Sequence, residues 1–173
     1  MINNKFFQIF LILTGFQITW IACVFGEFYN NSFIGVIIGI IYLIIYFFFI
    51  QNKINYIKFC FLFSLIGYSF DSLMAYKGYY YIKSDKILGY LPLWLIVLWP
   101  SFTTILYSVF NFLENKIILS FIIGIVIGPI TYYSGIFLDI SFSKNLLFYF
   151  ILLSIFWGLL LVFYSLSINY FKR

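Results

Sequence analysis

Long apolar runs separated by short polar breaks make up nearly the whole chain. An α-helix rises 1.5 Å per residue, so about 20 apolar residues cross a hydrocarbon core of roughly 30 Å. The pattern predicts an all-α fold, a polytopic integral membrane protein with a bundle of about six transmembrane helices in a single transmembrane domain over 1–173. The predicted helices are 6–28, 33–50, 56–76, 91–113, 117–138 and 146–170.

Composition supports a membrane protein without a separate soluble domain. The 173 residues are 65% hydrophobic and only 9% charged, and the mean hydropathy is +1.09. Soluble domains carry roughly 25% charged residues. The short connections between the apolar runs leave no room for a further domain.

The charged and catalytic residue types exclude several classes of function. Although the net charge is +5, the cations are scattered, which favours contacts with anionic membrane lipid over nucleic acid. Histidine is absent, and with it the commonest metal ligand and general base. Cys23 and Cys60 are expected near opposite membrane surfaces, as packing residues. We therefore expect no metal and no cofactor.

The distribution of cations gives a weak orientation signal. With both termini cytoplasmic, six cations lie inside and four outside, which follows the positive-inside rule. The inner ones are Lys5, Lys53, Lys58, Lys116, Lys172 and Arg173, and the outer ones are Lys77, Lys83, Lys86 and Lys144. The expected location is a bacterial inner (cytoplasmic) membrane, with the chain passing through it several times.

The longest predicted loop, 77–90, admits two interpretations. The segments 78–82 and 87–90 flank the turn-forming residues 83–86, which suits a short hairpin over the outer mouth of the bundle. The alternative is an interfacial loop whose tyrosines lie among lipid headgroups.

Asp71 is the most informative single residue. It follows an almost wholly apolar stretch and lies about five residues, or roughly 8 Å, from the predicted end of its helix. A carboxylate at that depth is unfavourable unless it faces the bundle interior or a cavity. Gly67 and Ala75 lie one turn away on the same face, which allows close approach of a neighbouring helix. Asp71 is therefore predicted to be a ligand contact, a proton carrier, a general acid, or a hydrogen-bonding post between helices.

Gln17 and Trp20 mark the same interior from the first helix. An amide without a partner in hydrocarbon is unfavourable, so Gln17 should point inward, and Trp20 lies one turn further out on the same side. A ligand contact and a hydrogen bond between helices are both open.

The fourth helix contributes Trp99, Pro100 and Thr103. Proline lacks the N–H of a regular helix, so Pro100 is expected to kink it and to shape a cavity beside Trp99 and Thr103.

The fifth helix contributes Gly128, Pro129 and Tyr132. The Gly-Pro step should break the helix and free carbonyl groups that need other donors. Together with Asp71 and Trp20, these residues predict a cavity in the outer half of the membrane, with Gln17 at its base.

Four motifs resemble a bacterial inner-membrane family known as domain of unknown function 2878. They are Gly15-Phe16-Gln17-x-x-Trp20, Asp71-Ser72, Pro92-Leu93-Trp94 leading to Trp99-x-x-Phe102, and Gly128-Pro129-x-x-Tyr132-x-x-Gly135. The family has no established activity. The resemblance implies a lipid-related role, because the genes of family members often look like neighbours of fatty-acid-modifying genes such as those of cyclopropane-fatty-acid synthases.

Three functions remain open from the sequence. The leading one is binding of a lipid or amphiphile in an outer-half cavity around Asp71, as an accessory to membrane-lipid modification. The second is a small transporter or substrate-capture subunit, with a membrane-protein partner or a second copy of the chain. The third is a membrane enzyme in which Asp71 acts as acid or base with Tyr132 or Tyr68.

Overall fold

A computed structural model describes residues 5–84 and 87–172 and contains six α-helices. Five of them are long and apolar enough to cross a membrane. The expected all-α membrane bundle is thereby confirmed. The helices are α1 (Lys5–Phe28), α2 (Ser32–Phe49), α3 (Lys53–Tyr76), α4 (Leu93–Ser108), α5 (Ile117–Phe137) and α6 (Leu146–Lys172).

The remaining helix, α4, has 16 residues and is shorter than the other five. Where the sequence predicts one helix over 91–113, α4 ends at Ser108 and a 3₁₀ turn follows at Phe110–Leu113. The Asn111 side chain donates to the Ser108 carbonyl at 3.0 Å, which satisfies a carbonyl at the helix end. Helix and turn together cover about 32 Å, so the pair still has the length of a membrane crossing.

The central element of the bundle is α4. It packs against α1, α2 and α3, whereas α5 and α6 form a closely packed pair that meets α3 through α6. Ten of its 16 residues are buried. The side chains of α4 therefore form the interior against which any cavity is built.

Small residues allow α5 and α6 to approach closely. A Cβ atom on Gly124 would overlap the backbone of Trp157, and one on Gly158 would come within 2.7 Å of the Phe121 ring. Such contacts replace the hydrophobic effect as the driving force for packing within a membrane, where lipid is as apolar as the side chains.

Neither intramembrane proline interrupts its helix, in contrast to the predicted break at Gly128 and Pro129. Pro100 lies within α4 and Pro129 within α5. Because Pro129 has no N–H, the carbonyl of Ile125 loses its helical donor. Ser154 of α6 donates to that carbonyl at 3.2 Å, so a neighbouring helix supplies the missing hydrogen bond.

Four short strands connect the helices at one end of the bundle. We call this the loop end; its described residues are 29–31, 77–84, 87–92 and 138–145. Strand β1 (Tyr81–Ile82) pairs antiparallel with β4 (Ser141–Phe142), and β2 (Ile87–Leu88) pairs with β3 (Leu91–Pro92).

This pairing differs from the hairpin that the sequence suggests within 78–90. Stacking of Tyr81 on Phe142, with ring centroids 4.9 Å apart, favours the non-local pair, and the Lys83 N–H donates to the Ile140 carbonyl at 2.8 Å. Asp85 and Lys86, at the predicted turn, lie outside the described residues. The two long loops are thus joined to each other across the bundle.

The α5–α6 contact yields a stability prediction. Gly124→Ala should destabilise the protein by about 1–3 kcal/mol, because the added methyl group meets helix backbone that cannot rotate away. Gly135→Ala on the same helix is the matched control, since its methyl group would meet side-chain atoms and not backbone: the Ser141 hydroxyl at 3.1 Å and the Tyr80 hydroxyl at 4.0 Å. Thermal unfolding of both variants in detergent measures the difference, and equal melting temperatures would contradict the proposed tight contact.

Candidate ligand-binding site

One carboxylate joins three helices in the middle of the bundle. Asp71 of α3 is only 1% exposed. The Trp99 indole N–H of α4 donates to Oδ2 at 2.8 Å, and the Tyr132 hydroxyl of α5 donates to Oδ1 at 2.6 Å. Each oxygen thus has a donor, which is the condition for a buried carboxylate to be tolerated.

A glycine on α3 makes room for the first of these donors. A Cβ atom on Gly67 would overlap the six-membered ring of Trp99. Gly67 precedes Asp71 by one helical turn, so the indole lies against bare backbone while its N–H reaches the carboxylate. The small-residue face expected around Asp71 therefore accommodates one tryptophan.

The same arrangement recurs on α5 with a second tryptophan. A Cβ atom on Gly128 would overlap Trp157 of α6, and Tyr132 follows Gly128 by one turn. The Trp99 and Trp157 rings stack with centroids 5.6 Å apart and planes at 21°. Two stacked indoles thus lie between Gly67 and Gly128, with the hydrogen bonds of Asp71 and Tyr132 one turn above them.

Two further tyrosines surround this pair on the side of the loop end. Tyr80 stacks on Tyr149 at 4.8 Å and meets the edge of Tyr132 at 5.8 Å. Burial raises the pKa of the Tyr80 hydroxyl, so this hydroxyl stays neutral and protonated at physiological pH. The aromatic cluster encloses Asp71 from the loop end.

A cavity of about 440 Å³ lies next to this cluster. Its floor is α4 and its walls are α1 and α5, and Ile140 and Ser141 cover it at the loop end. Its lining is mostly apolar. Volumes of roughly 300–1,000 Å³ with a few polar groups are typical of small-molecule sites.

The structure brings four of the predicted residues together around this cavity. Gln17, Trp20, Trp99 and Tyr132 all line it. Asp71 does not; it lies behind Trp99 and Tyr132 and acts on the cavity only through them.

The other predicted residues lie away from the cavity. Thr103 is fully buried and donates to the Pro100 carbonyl at 2.7 Å. Gly128 and Pro129 belong to the α5–α6 contact.

Exposed lining residues on two helices indicate that the cavity opens sideways, between α1 and α5. Gln17, near the middle of α1, is exposed, and so are Ile130 and Thr131 on the opposite wall. The Gln17 amide makes no hydrogen bond within the described ranges. In a bilayer this opening would face the lipid, with an unpartnered amide at its edge.

A second buried carboxylate, Glu27, is not among the predicted site residues; it lies one residue before the end of the predicted helix 6–28. Glu27 is only 8% exposed. Its Oε2 accepts from the Ser32 hydroxyl at 2.8 Å and from the Trp94 indole at 2.9 Å. One signal could have revealed it: Trp94 and Trp99 are both on a buried helix, and a buried indole N–H needs an acceptor.

A polar pocket of about 270 Å³ adjoins Glu27 at the loop end. It is also lined by Asn30, Lys83 and Asp139, and it shares Ile140 with the apolar cavity. Lys83 and Asp139 form an ion pair at 2.7 Å. Over residues 5–84 and 87–172, no three cysteine, aspartate or glutamate side chains gather closely enough to hold a metal ion.

The Asp71 hydrogen bonds yield a second prediction. Tyr132→Phe should cost about 1–3 kcal/mol of stability, because Oδ1 of a buried carboxylate loses its donor. Tyr133→Phe is the control, since Tyr133 is 50% exposed and its hydroxyl makes no hydrogen bond in the described part of the chain. Thermal unfolding compares them. An equal, small effect of both substitutions would show that the Tyr132–Asp71 bond contributes little.

Comparison with known proteins places the chain in a family but gives it no activity. No curated protein and no solved structure matches it significantly. The model of the family described as "protein of unknown function (DUF2878)" matches residues 9–163, a range that contains all four motifs quoted above. The resemblance inferred from those motifs is confirmed, and the chain belongs to the DUF2878 family.

Proposed function

We propose that this protein binds a membrane lipid or another amphiphile in the cavity between α1, α4 and α5. The observation that carries the proposal is a mostly apolar cavity of about 440 Å³ between helices long enough to cross a membrane, whose exposed lining residues on α1 and α5 indicate a lateral opening. A ligand that is already dissolved in the bilayer can enter through such an opening without crossing water. The resemblance to a family whose genes often neighbour those of fatty-acid-modifying enzymes supports an accessory role in membrane-lipid modification.

Asp71 has a positioning role in this proposal. Its two oxygens hold the Trp99 indole and the Tyr132 ring, and those two side chains form part of the cavity wall. A wall that is already rigid lowers the conformational entropy that the protein must lose when a ligand binds. The Gln17 amide is the group placed to contact a polar part of the ligand.

The two alternative functions make demands that this site meets less well. A proton carrier must exchange protons with water, and a general acid must come within about 3 Å of the reacting group. Asp71 is 1% exposed and both of its oxygens already accept hydrogen bonds. Lipid binding requires only that Asp71 hold Trp99 and Tyr132 in the cavity wall.

Filling the cavity tests the proposal. Thr131→Trp should reduce the lipid that copurifies with the protein severalfold, because the larger side chain occupies the opening between α1 and α5. Val126→Trp is the matched control: valine has nearly the shape of threonine, and Val126 is 49% exposed but does not line the cavity. Native mass spectrometry of both variants in mild detergent measures the bound lipid.

The comparison distinguishes cavity binding from annular lipid. If both tryptophan variants and the unaltered protein retain the same lipid, the lipid lies on the outer surface and the proposal is wrong. Loss in Thr131→Trp alone, at an unchanged melting temperature, supports it.

We further propose that the protein resides in a bacterial inner membrane with both termini in the cytoplasm. The excess of cations at the end opposite the loop end supports this orientation. A membrane-impermeant thiol reagent applied to spheroplasts should label Lys144→Cys, at the loop end, but not Lys53→Cys. The reverse labelling pattern would show that the protein has the opposite orientation in the membrane.

A further inference from the structure

Within residues 5–84 and 87–172, the carboxylate of Glu27 has no cation as a partner. Its Oε2 accepts hydrogen bonds only from neutral groups, the Ser32 hydroxyl and the Trp94 indole. Its Oε1 has no hydrogen-bond partner in the described part of the chain, although the side chain is more than nine-tenths buried. Oε1 is not among the fully enclosed atoms without a partner, so it is accessible from the polar pocket that Glu27 lines, where a donor that enters the pocket can bind it.

The other charges of the polar pocket do not supply that cation. Lys83 lines the same pocket, but its ammonium group lies 2.7 Å from Asp139. Lys83 and Asp139 compensate each other, so among the described residues that line the pocket one negative charge is left over, that of Glu27. A positively charged group in the pocket would restore the balance.

The polar pocket and the apolar cavity adjoin each other. Ile140 lines both. Trp94 links them as well, because its ring lines the apolar cavity while its N–H holds Glu27. Glu27 is at the end of α1, nearer the membrane surface than Gln17 and Trp20 in the apolar cavity, which is the order of headgroup and chain in a lipid.

We infer that the amphiphile carries an ammonium headgroup, which pairs with Glu27 in the polar pocket while its chain occupies the apolar cavity. This inference rests on the proposed lipid binding and adds the chemistry of the headgroup to it. An aminophospholipid has the required structure: a primary ammonium group at the membrane surface and acyl chains within it.

Lipids with identical acyl chains test the headgroup directly. Equimolar phosphatidylethanolamine, its N-acetylated form and phosphatidylglycerol compete for the delipidated protein, and native mass spectrometry counts each bound species. We expect phosphatidylethanolamine to be preferred on the order of tenfold, which corresponds to about 1.4 kcal/mol. N-acetylation removes the charge on nitrogen and should abolish the preference.

The Glu27→Gln variant tests whether this carboxylate causes the preference for phosphatidylethanolamine. Glutamine can still accept hydrogen bonds from Trp94 and Ser32, so the variant should bind the same total amount of lipid without distinguishing the headgroups. Glu114→Gln is the matched control, because it removes one acidic charge at the opposite end of the bundle. If Glu27→Gln does not fold, the three-lipid comparison on the unaltered protein still decides.

The outcomes separate this inference from the proposed function. Equal binding of all three lipids, reduced by Thr131→Trp, would overturn the headgroup assignment and leave lipid binding intact. Absence of any bound lipid would overturn both. If millimolar free ethanolamine raises the melting temperature as much as phosphatidylethanolamine does, the pocket is a site for a soluble amine and the inference is wrong. A preference lost in Glu27→Gln and kept in Glu114→Gln establishes it.

Discussion

A carboxylate inside a membrane must find hydrogen-bond donors within the protein, and the arrangement around Asp71 follows from that requirement. Its donors come from α4 and α5, so three helices must meet at one depth. The large Trp99 indole can approach the carboxylate because Gly67 leaves space for its ring, and Gly128 leaves space for Trp157, which stacks on Trp99. The cost of burying one charge thus sets the positions of the rings that form the cavity wall.

The same chemistry occurs a second time, at Glu27, with a different result. There too an indole from α4 donates to a carboxylate, and a hydroxyl adds a second hydrogen bond. Both donors reach the same oxygen, whereas at Asp71 each oxygen has its own. Both oxygens of Asp71 therefore have a hydrogen-bond donor, whereas Glu27 retains one free acceptor oxygen beside a polar pocket. The difference between a structural carboxylate and a candidate binding carboxylate lies in this distribution of donors.

The sequence allowed the bundle and the inward direction of Asp71 to be predicted, because both follow from local hydropathy and from the cost of intramembrane polar groups. It could not show that Trp99 and Tyr132 would shield Asp71 from the cavity, since their approach depends on glycines in other helices. The pairing of β1 with β4 was equally inaccessible, because residues about 60 positions apart meet only once α3 and α5 have packed. Glu27 was missed because a carboxylate near a predicted helix end is usually solvated.

Selection of a ligand in such a site must rest on polar groups and shape. An acyl chain that leaves the bilayer for an apolar cavity exchanges one hydrocarbon environment for another, so the roughly 0.8 kcal/mol per methylene that burial contributes in water is not gained. The apolar lining therefore admits lipid without distinguishing it from the surrounding membrane. The groups that can distinguish are the Gln17 amide at the lateral opening and the Glu27 carboxylate at the loop end. Because these two groups lie at different depths, a ligand that satisfies both must extend along α1, which favours an elongated amphiphile over a compact one.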